Sequence, residues 1–276
     1  MALAVGLLVV LVAGTLLQNA RGAYQDIDDA SRVQETGRLA LEHLQDVIRQ
    51  ADHFPWESMA RPPRLSPGVR GLDDSRQVAA LDPASGSFGA MSGDGVNKSD
   101  ILMLGFFGAP RGSPTHIGNC SGAAAPLAPL EESARSWVIY YIAAGTGNEP
   151  ELRCRYLGKN GAWTSDAVAR GVEAMQLRYA VASGPDGRPG RWLDASALNE
   201  AGWRRVVMVR VALLVRGTQR RPGPTGAAPR DYDLFLPSGR ADPAWRVTEK
   251  QGEERLRSVF QTTVLLRNAA FAGELP

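Results

Sequence analysis

The first seventeen residues of the chain carry no charged side chain, and this apolar run constrains the fold more than any other feature. At a rise of about 1.5 Å per residue, the run reaches about 25 Å as a helix, a little short of the roughly 20 residues that span a hydrocarbon core. The following residues are polar, with apolar residues at steps of three and four positions. This junction predicts one long helix, apolar first and amphipathic afterwards, half of which must be covered by lipid or by other helices.

The predicted helix has no internal proline before Pro55. Its four glycines each weaken it by about 1 kcal/mol relative to alanine, so it can run for roughly fifty residues. The apolar stripe of its amphipathic part consists of Ala20, Tyr24, Ile27, Ala30, Val33, Leu41, Leu44, Val47, Ile48 and Ala51. The residues expected to face lipid or neighbouring helices are Leu3, Val5, Leu7, Leu8, Val9, Val10, Leu11, Val12, Leu16 and Leu17.

A cleaved secretory signal is the alternative interpretation of this N-terminus. Residues 19–23 are mostly small and would offer a cleavage site. However, no positively charged region precedes the apolar run, as a signal peptide requires. An anchor is therefore favoured over a signal peptide.

The rest of the chain has the composition of a folded domain, with 44% hydrophobic and 22% charged residues overall. We expect a transmembrane part at residues 1–17, a helical stem at residues 18–54 that docks on the sheet, and a β-rich globular domain at residues 55–276. The net charge of +2 comes from 31 basic and 29 acidic residues spread along the chain. Such a balance excludes a strong field that would attract nucleic acid.

Cys120 and Cys154 are the only cysteines of the chain. An even pair in a chain with an export or anchor segment predicts one disulfide in an oxidising compartment. Metal binding or redox chemistry is the alternative, but the sequence has no C-x-x-C motif, and His43, His53 and His116 lie far apart without ligand spacing. The disulfide is therefore the favoured interpretation.

Runs of β-branched and aromatic residues predict a β-rich domain after an irregular segment at residues 55–95. The expected strands are residues 101–107, 136–142, 151–157, 172–182, 206–215 and 259–266. Of these, 136–142 and 151–157 should form a hairpin, and 172–182 should pair with 206–215. Because the connections are too short for helical crossovers, the sheet should be largely antiparallel and the fold class α+β.

Candidate catalytic and metal-binding residues are few. Asp231 and Asp233 alternate on one predicted strand, but a calcium site needs 6 to 8 oxygen ligands and no nearby loop supplies them. The loop at residues 113–116 contains serine and histidine without a nucleophile elbow. We therefore predict no catalytic residue, no cofactor and no metal site.

Several blocks recur in a recognisable order. The stem contains QETGRLALEHL at residues 34–44 and IRQA at residues 48–51. Further blocks are NKSD (97–100), CSG (120–122), LRC (152–154), GVEAMQLRY (171–179), WRRVVMVRV (203–211) and TTVLLRN (262–268). Together they resemble the PilW-type minor pilins of type IV pilus assembly. In the stem, the residues that carry the resemblance are Gln34, Glu35, Gly37, Arg38, Leu41, Leu44 and Arg49.

The resemblance implies a pilin-like fold and a role in assembly without chemistry. It implies that the protein helps to prime or cap the filament together with other minor pilins. The expected partners are those pilins, the inner-membrane assembly platform and the lipid bilayer, with neither nucleic acid nor a small-molecule substrate. The expected location is the bacterial inner membrane, crossed once, with the domain in the periplasm and a place at the pilus tip after assembly.

Two other interpretations share the helix and the sheet: a minor pseudopilin of type II secretion, and a membrane-anchored periplasmic interaction or adhesion domain. The sequence departs from the family at its start. The basic leader and the G-F-[ST]-L-x-E cleavage motif of prepilins are both missing from it. We therefore expect the true start codon to lie upstream of Met1.

Overall fold

One long helix, α1 (Ala2–Ile48), precedes a domain of antiparallel strands, so the predicted α+β class is confirmed. The structure is a computed structural model. It describes residues 2–55, 65–85, 91–109, 116–125, 131–158, 160–184, 186–220, 228–235 and 243–268. The helix has 47 residues, close to the length that the sequence predicts. Met1 and the loop residues 113–115 lie outside the described residues.

Thirteen strands and one short helix are seen in the described part of the domain. In chain order they are β1 (Val69–Leu72), β2 (Ser75–Arg76), β3 (Met91–Ser92), β4 (Ile101–Phe106), β5 (Ser136–Ala144), β6 (Pro150–Leu157), β7 (Trp163–Arg170), β8 (Val172–Ala182), β9 (Pro189–Leu193), α2 (Glu200–Trp203), β10 (Val206–Arg220), β11 (Asp231–Asp233), β12 (Arg246–Thr248) and β13 (Arg255–Leu265).

The strands form two large sheets and two small hairpins. A five-stranded sheet has the order β1-β4-β5-β6-β7, and a four-stranded sheet has the order β13-β10-β8-β9. Every strand pair in the described residues is antiparallel, and both predicted pairings are confirmed. Tyr140 of β5 faces Cys154 of β6, and Leu177 of β8 faces Val211 of β10.

Three features differ from the sequence-based expectation. Residues 55–95 are not wholly irregular, because β1 pairs with β4 at the edge of the five-stranded sheet, and β2 pairs with β3. The strands β7 and β9 were not predicted. Both lie at sheet edges, where one side faces water, so β7 lacks an apolar run and β9 contains a proline and a glycine.

The main hydrophobic core lies between α1 and the inner faces of the two large sheets. From α1 it receives Leu44 and Ile48, and from the sheets it receives residues such as Leu104, Tyr140 and Val211. Smaller apolar clusters cover the outer faces, one around Trp137 on the five-stranded sheet and one around Trp245 on the four-stranded sheet. The helix is therefore part of the core of the domain over its C-terminal half only.

A short segment, residues 97–100, connects the two large sheets. It lies beside the first half of β8, which β9 does not reach, because β9 pairs with β8 only from Tyr179 onward. There it forms hydrogen bonds with the edge of β8 that a further strand would otherwise form. The amide nitrogen of Asp100 donates to the carbonyl of Met175 at 2.9 Å, and the Asp100 carboxylate accepts from the amide of Leu177 at 2.7 Å. The Asn97 side chain donates to the carbonyl of Glu173 at 2.9 Å.

Asp100 is fully buried at this connection. Burial raises the pKa of its carboxyl well above the usual value, and the nearby charge of Asp73 raises it further. The amides of Asp74 and Leu177, which donate to the carboxylate, act in the opposite direction. The connection between the sheets therefore contains a carboxyl group whose protonation is coupled to folding.

The predicted disulfide between Cys120 and Cys154 is confirmed, with 6.4 Å between the two Cα atoms. Cys154 lies on β6 and is buried in the main core. Cys120 lies in a loop that begins beside the C-terminal end of α1, where the amide of Gly118 donates a hydrogen bond to the side-chain oxygen of Gln50 at 3.0 Å. The disulfide thus fixes this loop to the five-stranded sheet.

Candidate functional site

The N-terminal half of α1 is the largest exposed apolar surface in the described residues. All residues from 3 to 28 are exposed, and Leu3 is 92% accessible. An 18-residue window of this helix has a mean hydropathy of 2.0, and none of it is buried in the molecule. A helix of this kind is stable only in lipid or against other apolar helices.

The ten residues predicted to face lipid or neighbouring helices all lie on this exposed half. They lie on all sides of the helix. Neither sheet covers this part of α1, so every side of it is exposed. Their role as a packing surface stays a prediction, as does the division of the chain at residues 17 and 54. What the structure adds is that the whole circumference of the helix is accessible.

The predicted apolar stripe does not dock along its whole length. Tyr24 and Ile27 are 75% and 67% exposed, although they belong to the same stripe as the buried Val33 and Leu44. Among the described residues, the first buried residue of α1 is Asp29, so residues 18–28 of the predicted stem are exposed in the isolated chain, and docking from residue 18 stays a prediction. The sheets end there, and the polar part of the helix before Asp29 has no surface of the domain to cover it.

Asp29 attaches the helix to the end of β10. Its side chain is 1% exposed, and one carboxylate oxygen accepts hydrogen bonds from the amides of Thr218 at 2.8 Å and of Gln219 at 3.3 Å, and from the Thr218 hydroxyl at 3.2 Å. The pairing of β10 with β13 is irregular between Arg216 and Arg220, which frees these amides for the carboxylate. Gly217 makes the close approach possible, because a Cβ atom there would collide with the Asp29 carboxylate.

Sequence reasoning missed Asp29, although a signal was present. Asp29 lies four residues before Val33 and therefore on the same face of the helix as the buried stripe. A carboxylate on an apolar stripe must find hydrogen-bond donors when that stripe is buried. Its partners on β10 are distant in sequence, so only the fold could identify them.

Gly37 is the second point of close contact. It is buried, and a Cβ atom at this position would overlap the ring of Phe260 on β13. Farther along α1, the Gln45 side chain donates to the Thr262 hydroxyl at 2.6 Å, and His43 is hydrogen-bonded to the Tyr140 hydroxyl at 2.9 Å. The helix is therefore held to both large sheets.

The stem residues that carry the family resemblance separate into two groups. Gly37, Leu41 and Leu44 are buried against the domain. The other four do not enter the core: Gln34, Glu35 and Arg38 are exposed and Arg49 is half-buried. Ion pairs on the helix surface join Arg38 to Glu42 at 3.0 Å and Arg49 to Asp46 at 3.1 Å. The structure thus explains the buried residues by packing and leaves the exposed ones available for contacts outside the domain.

A second acidic contact fixes the C-terminal end of α1. Asp52, in the turn after the helix, forms an ion pair of 2.6 Å with the buried Arg135 and accepts the amide of Gly68 at 2.9 Å. Arg135 also donates to the carbonyl of Gly105 on β4 at 3.1 Å. Asp29 and Asp52 therefore bracket the docked part of the helix.

A large cluster of charged residues in the described part of the domain forms ion pairs among its own members. At the ends of β8, β10 and β13, Glu173 accepts from Arg257 at 2.6 Å and from Arg216 at 2.9 Å, and Arg216 also pairs with Glu149 at 2.9 Å. Arg257 is further paired with Glu249. These residues line a cavity of about 340 Å³, but their charges neutralise one another, which indicates a structural role.

The described residues contain no group of three or more histidine, cysteine, aspartate or glutamate side chains that could hold a metal ion. Asp233 forms an ion pair with Arg246 at 2.8 Å, and Asp231 approaches the same guanidinium at 3.5 Å. The two carboxylates considered for calcium therefore both lie against the single arginine on the neighbouring strand β12.

Comparison with known proteins agrees with the predicted resemblance. The family model described as Type IV Pilus-assembly protein W matches residues 139–268, a little under half of the chain. The matched part runs from β5 to just beyond β13 and does not include α1. No curated protein matches the chain.

Among solved structures, the chain is similar to a type IV-like pilin from Thermus thermophilus. The two sequences are 15% identical, and the TM-score is 0.45. The similarity covers 87% of this chain and 99% of the other. The predicted resemblance to the type IV pilus-assembly family is confirmed by the family model over residues 139–268.

Proposed function

We propose that this chain, whose residues 139–268 match the type IV pilus-assembly family, is a minor pilin that helps to prime or cap the pilus together with other minor pilins. The observation that carries the proposal is the exposed N-terminal half of α1, which is uncharged through Leu17 and projects from a domain that contains the matched residues 139–268. The description of the matched family names pilus assembly. The proposed role contains no catalytic step.

The mechanism follows from the two environments that can cover the helix. Before assembly, the apolar residues lie in the inner membrane, with the domain in the periplasm, where an oxidising medium favours the Cys120–Cys154 disulfide. During assembly, the same residues leave the lipid and pack against the helices of other pilins and of the assembly platform. Because both environments are apolar, little free energy is lost in the exchange, and shape decides which helices pack together.

The attachment of the helix transmits this movement to the domain. Residues 2–28 extend about 40 Å beyond the last contact with the domain. Asp29, Gly37 and Asp52 hold the remainder against the sheets. A pull on the apolar end is therefore passed along one continuous helix to the core.

Deletion of the gene, followed by complementation with variants, tests the proposal. We expect deletion to abolish or strongly reduce surface pili while enzyme secretion continues. The wild-type chain should restore the pili, and the Val9→Lys variant should not, because it places a charge in the middle of the apolar half. The matched control is Asp26→Lys, which introduces the same lysine on the exposed polar part of the helix and should restore the pili.

Other outcomes would contradict the proposal. Loss of enzyme secretion with intact pili would identify a pseudopilin of type II secretion. Unchanged pili and unchanged secretion would favour a membrane-anchored interaction or adhesion domain. If the chain is a minor pilin of the type IV pilus, the wild-type chain should co-purify from membranes with other minor pilins of the pilus. Neither alternative predicts this co-purification.

A further inference from the structure

The chain has three histidines, and the fold brings all three to the rim of one cleft. His43 lies on α1, His53 follows the turn after α1, and His116 lies on the loop that carries Cys120. The cleft has a volume of about 920 Å³. The separation of the histidines in sequence gave no sign of this arrangement, because the three segments meet only in the folded domain.

The walls of the cleft are held in place by hydrogen bonds between these segments. Gly118 donates its amide to the Gln50 side chain at 3.0 Å. From the segment after β13, the Asn268 side chain donates to the carbonyls of Arg49 at 3.2 Å and Ala51 at 3.1 Å. With the disulfide that ties the loop to β6, these contacts make the cleft a preformed site.

Two of the imidazoles are oriented by a hydrogen bond on one ring nitrogen. His43 uses Nε2 to contact the Tyr140 hydroxyl at 2.9 Å. His53 donates from Nδ1 to the carbonyl of Phe107 at 2.8 Å, so Nε2 of its neutral ring carries no proton and becomes a donor only when the ring is charged. His116 is exposed. Protonation therefore creates new donors on rings whose orientation is already fixed.

The charges that face the imidazoles favour an anionic ligand. Arg49 and Arg267 line the cleft, and the single acidic residue in its lining is Asp46, which is already paired with Arg49 at 3.1 Å. Behind the cleft, Asp52 is paired with Arg135. Burial lowers the pKa of His43, and Asp46 acts against this shift, so an added carboxylate would help to charge this ring.

A cation fits the cleft less well, because the described residues form no group of metal ligands. Sites for small organic molecules are mostly apolar, whereas this lining consists largely of histidine, arginine, asparagine, glutamine and serine. The cleft, at about 920 Å³, is much larger than one carboxylate, so it can hold several carboxylates spaced along one polypeptide segment.

We propose that the cleft between the end of α1, the Cys120 loop and Arg267 binds an acidic polypeptide segment, and that binding strengthens as the medium becomes acidic. Carboxylates of the segment contact Arg267 and the charged rings of His53 and His116. The proposal does not depend on the function proposed above.

The test uses the full chain in a non-ionic detergent and a capped peptide of alternating glutamate and alanine, six residues long. Binding is followed by the NMR signals of the three histidine rings, which report contact at the cleft itself. We expect the peptide to shift these signals and to bind more tightly near pH 5.5 than near pH 7.5, because a positive charge on an imidazole ring attracts a carboxylate. The matching peptide with glutamine in place of glutamate should leave the signals unchanged.

Variants distinguish the cleft from general attraction to positive charge. Arg267→Gln and His116→Asn should each weaken binding by about threefold or more, because each removes a contact to a carboxylate. The control is Arg191→Gln, which removes an exposed charge from β9, outside the cleft, and should bind as the wild type does.

Three results would overturn the proposal. The first is equal binding of the glutamine peptide, and the second is equal weakening by Arg191→Gln. The third is that acetate, at the same concentration of carboxylate, gives the same shifts with the same affinity, which would make the ligand a free small anion rather than a polypeptide.

Discussion

A few residues decide how the long helix sits on the domain. Asp29 gives it a polar attachment, and Gly37 allows the closest approach of helix and sheet. Neither position is suited to an isolated helix, because aspartate and glycine both have low helix propensity. Their presence is explained by tertiary contacts with Thr218 and Phe260.

Replacing Asp29 by alanine should destabilise the docked helix by about 1 to 2 kcal/mol, since hydrogen bonds from two amides and one hydroxyl are lost. The measurement is urea unfolding of the full chain in detergent, together with amide exchange at Thr218 and Gln219, which should accelerate. The adjacent variant Asp28→Ala is the control, because Asp28 is exposed and pairs only with Arg32 on the helix surface among its described contacts. Equal effects of the two variants would show that Asp29 makes no special attachment.

Alanine at Gly37 should lower stability by about 1 to 3 kcal/mol, because the added methyl group overlaps the Phe260 ring. This reverses the usual gain of about 1 kcal/mol for glycine to alanine within a helix. Gly22→Ala is the matched control: it lies on the exposed part of the same helix with open space around it, and it should be neutral or stabilising in the same unfolding experiment. A stabilising effect at Gly37 would contradict the close approach seen here.

At the scale of elements, the two large sheets are joined where the sequence shows only a short turn. Residues 97–100 take the place of a strand beside β8 and connect it to β4, which begins at Ile101. The edge of the four-stranded sheet is thus protected on one side by a segment of the other sheet. This arrangement buries Asp100 without an ion pair among its described contacts.

The contribution of Asp100 to the stability of the protein should fall as pH rises from about 4 toward neutrality. Burial raises the pKa of Asp100 in the folded state, so over this range the unfolded chain loses its proton first and is favoured. The measurement is the free energy of unfolding as a function of pH for the wild type and for Asp100→Asn. The wild type should show a steeper fall than the variant, whatever their absolute stabilities, and parallel curves would exclude the assignment.

At the scale of the molecule, one disulfide and one helix hold together segments that are far apart in the chain. The disulfide joins the loop beside the end of α1 to β6 of the five-stranded sheet. The helix contacts β10, β13 and β7, and so touches both sheets. The exposed half of α1 therefore extends from a body that is tied together on several sides.

Replacing both cysteines by serine should lower the free energy of unfolding by about 3 to 4 kcal/mol, the chain-entropy value for a closed loop of this length. Urea unfolding of the oxidised wild type and of the double variant gives the difference. Reducing agent should lower the stability of the wild type to a similar extent and leave the variant unchanged. A reduced wild type as stable as the oxidised protein would contradict a structural role for the disulfide.

Much of the architecture could be predicted because its signals are local. The length of α1, the strands β5, β6 and β8, and the antiparallel class follow from hydrophobic period and from short connections. The edge strands β7 and β9 were missed because they are half-solvated and lack an apolar run. The disulfide was predictable from the even count of cysteines together with the apolar N-terminal segment, which indicates an oxidising compartment.

The sequence by itself determined that the uncharged first part of the helix must find an apolar environment and that a β-rich domain follows the helix. Both conclusions depend on local composition and on the spacing of apolar residues. Only the tertiary structure decided that docking begins at Asp29, that Gly37 meets Phe260, and that three histidines share one cleft. The reason is physical: nearly all of these contacts join residues more than 50 positions apart, whose meeting depends on the pairing of whole sheets.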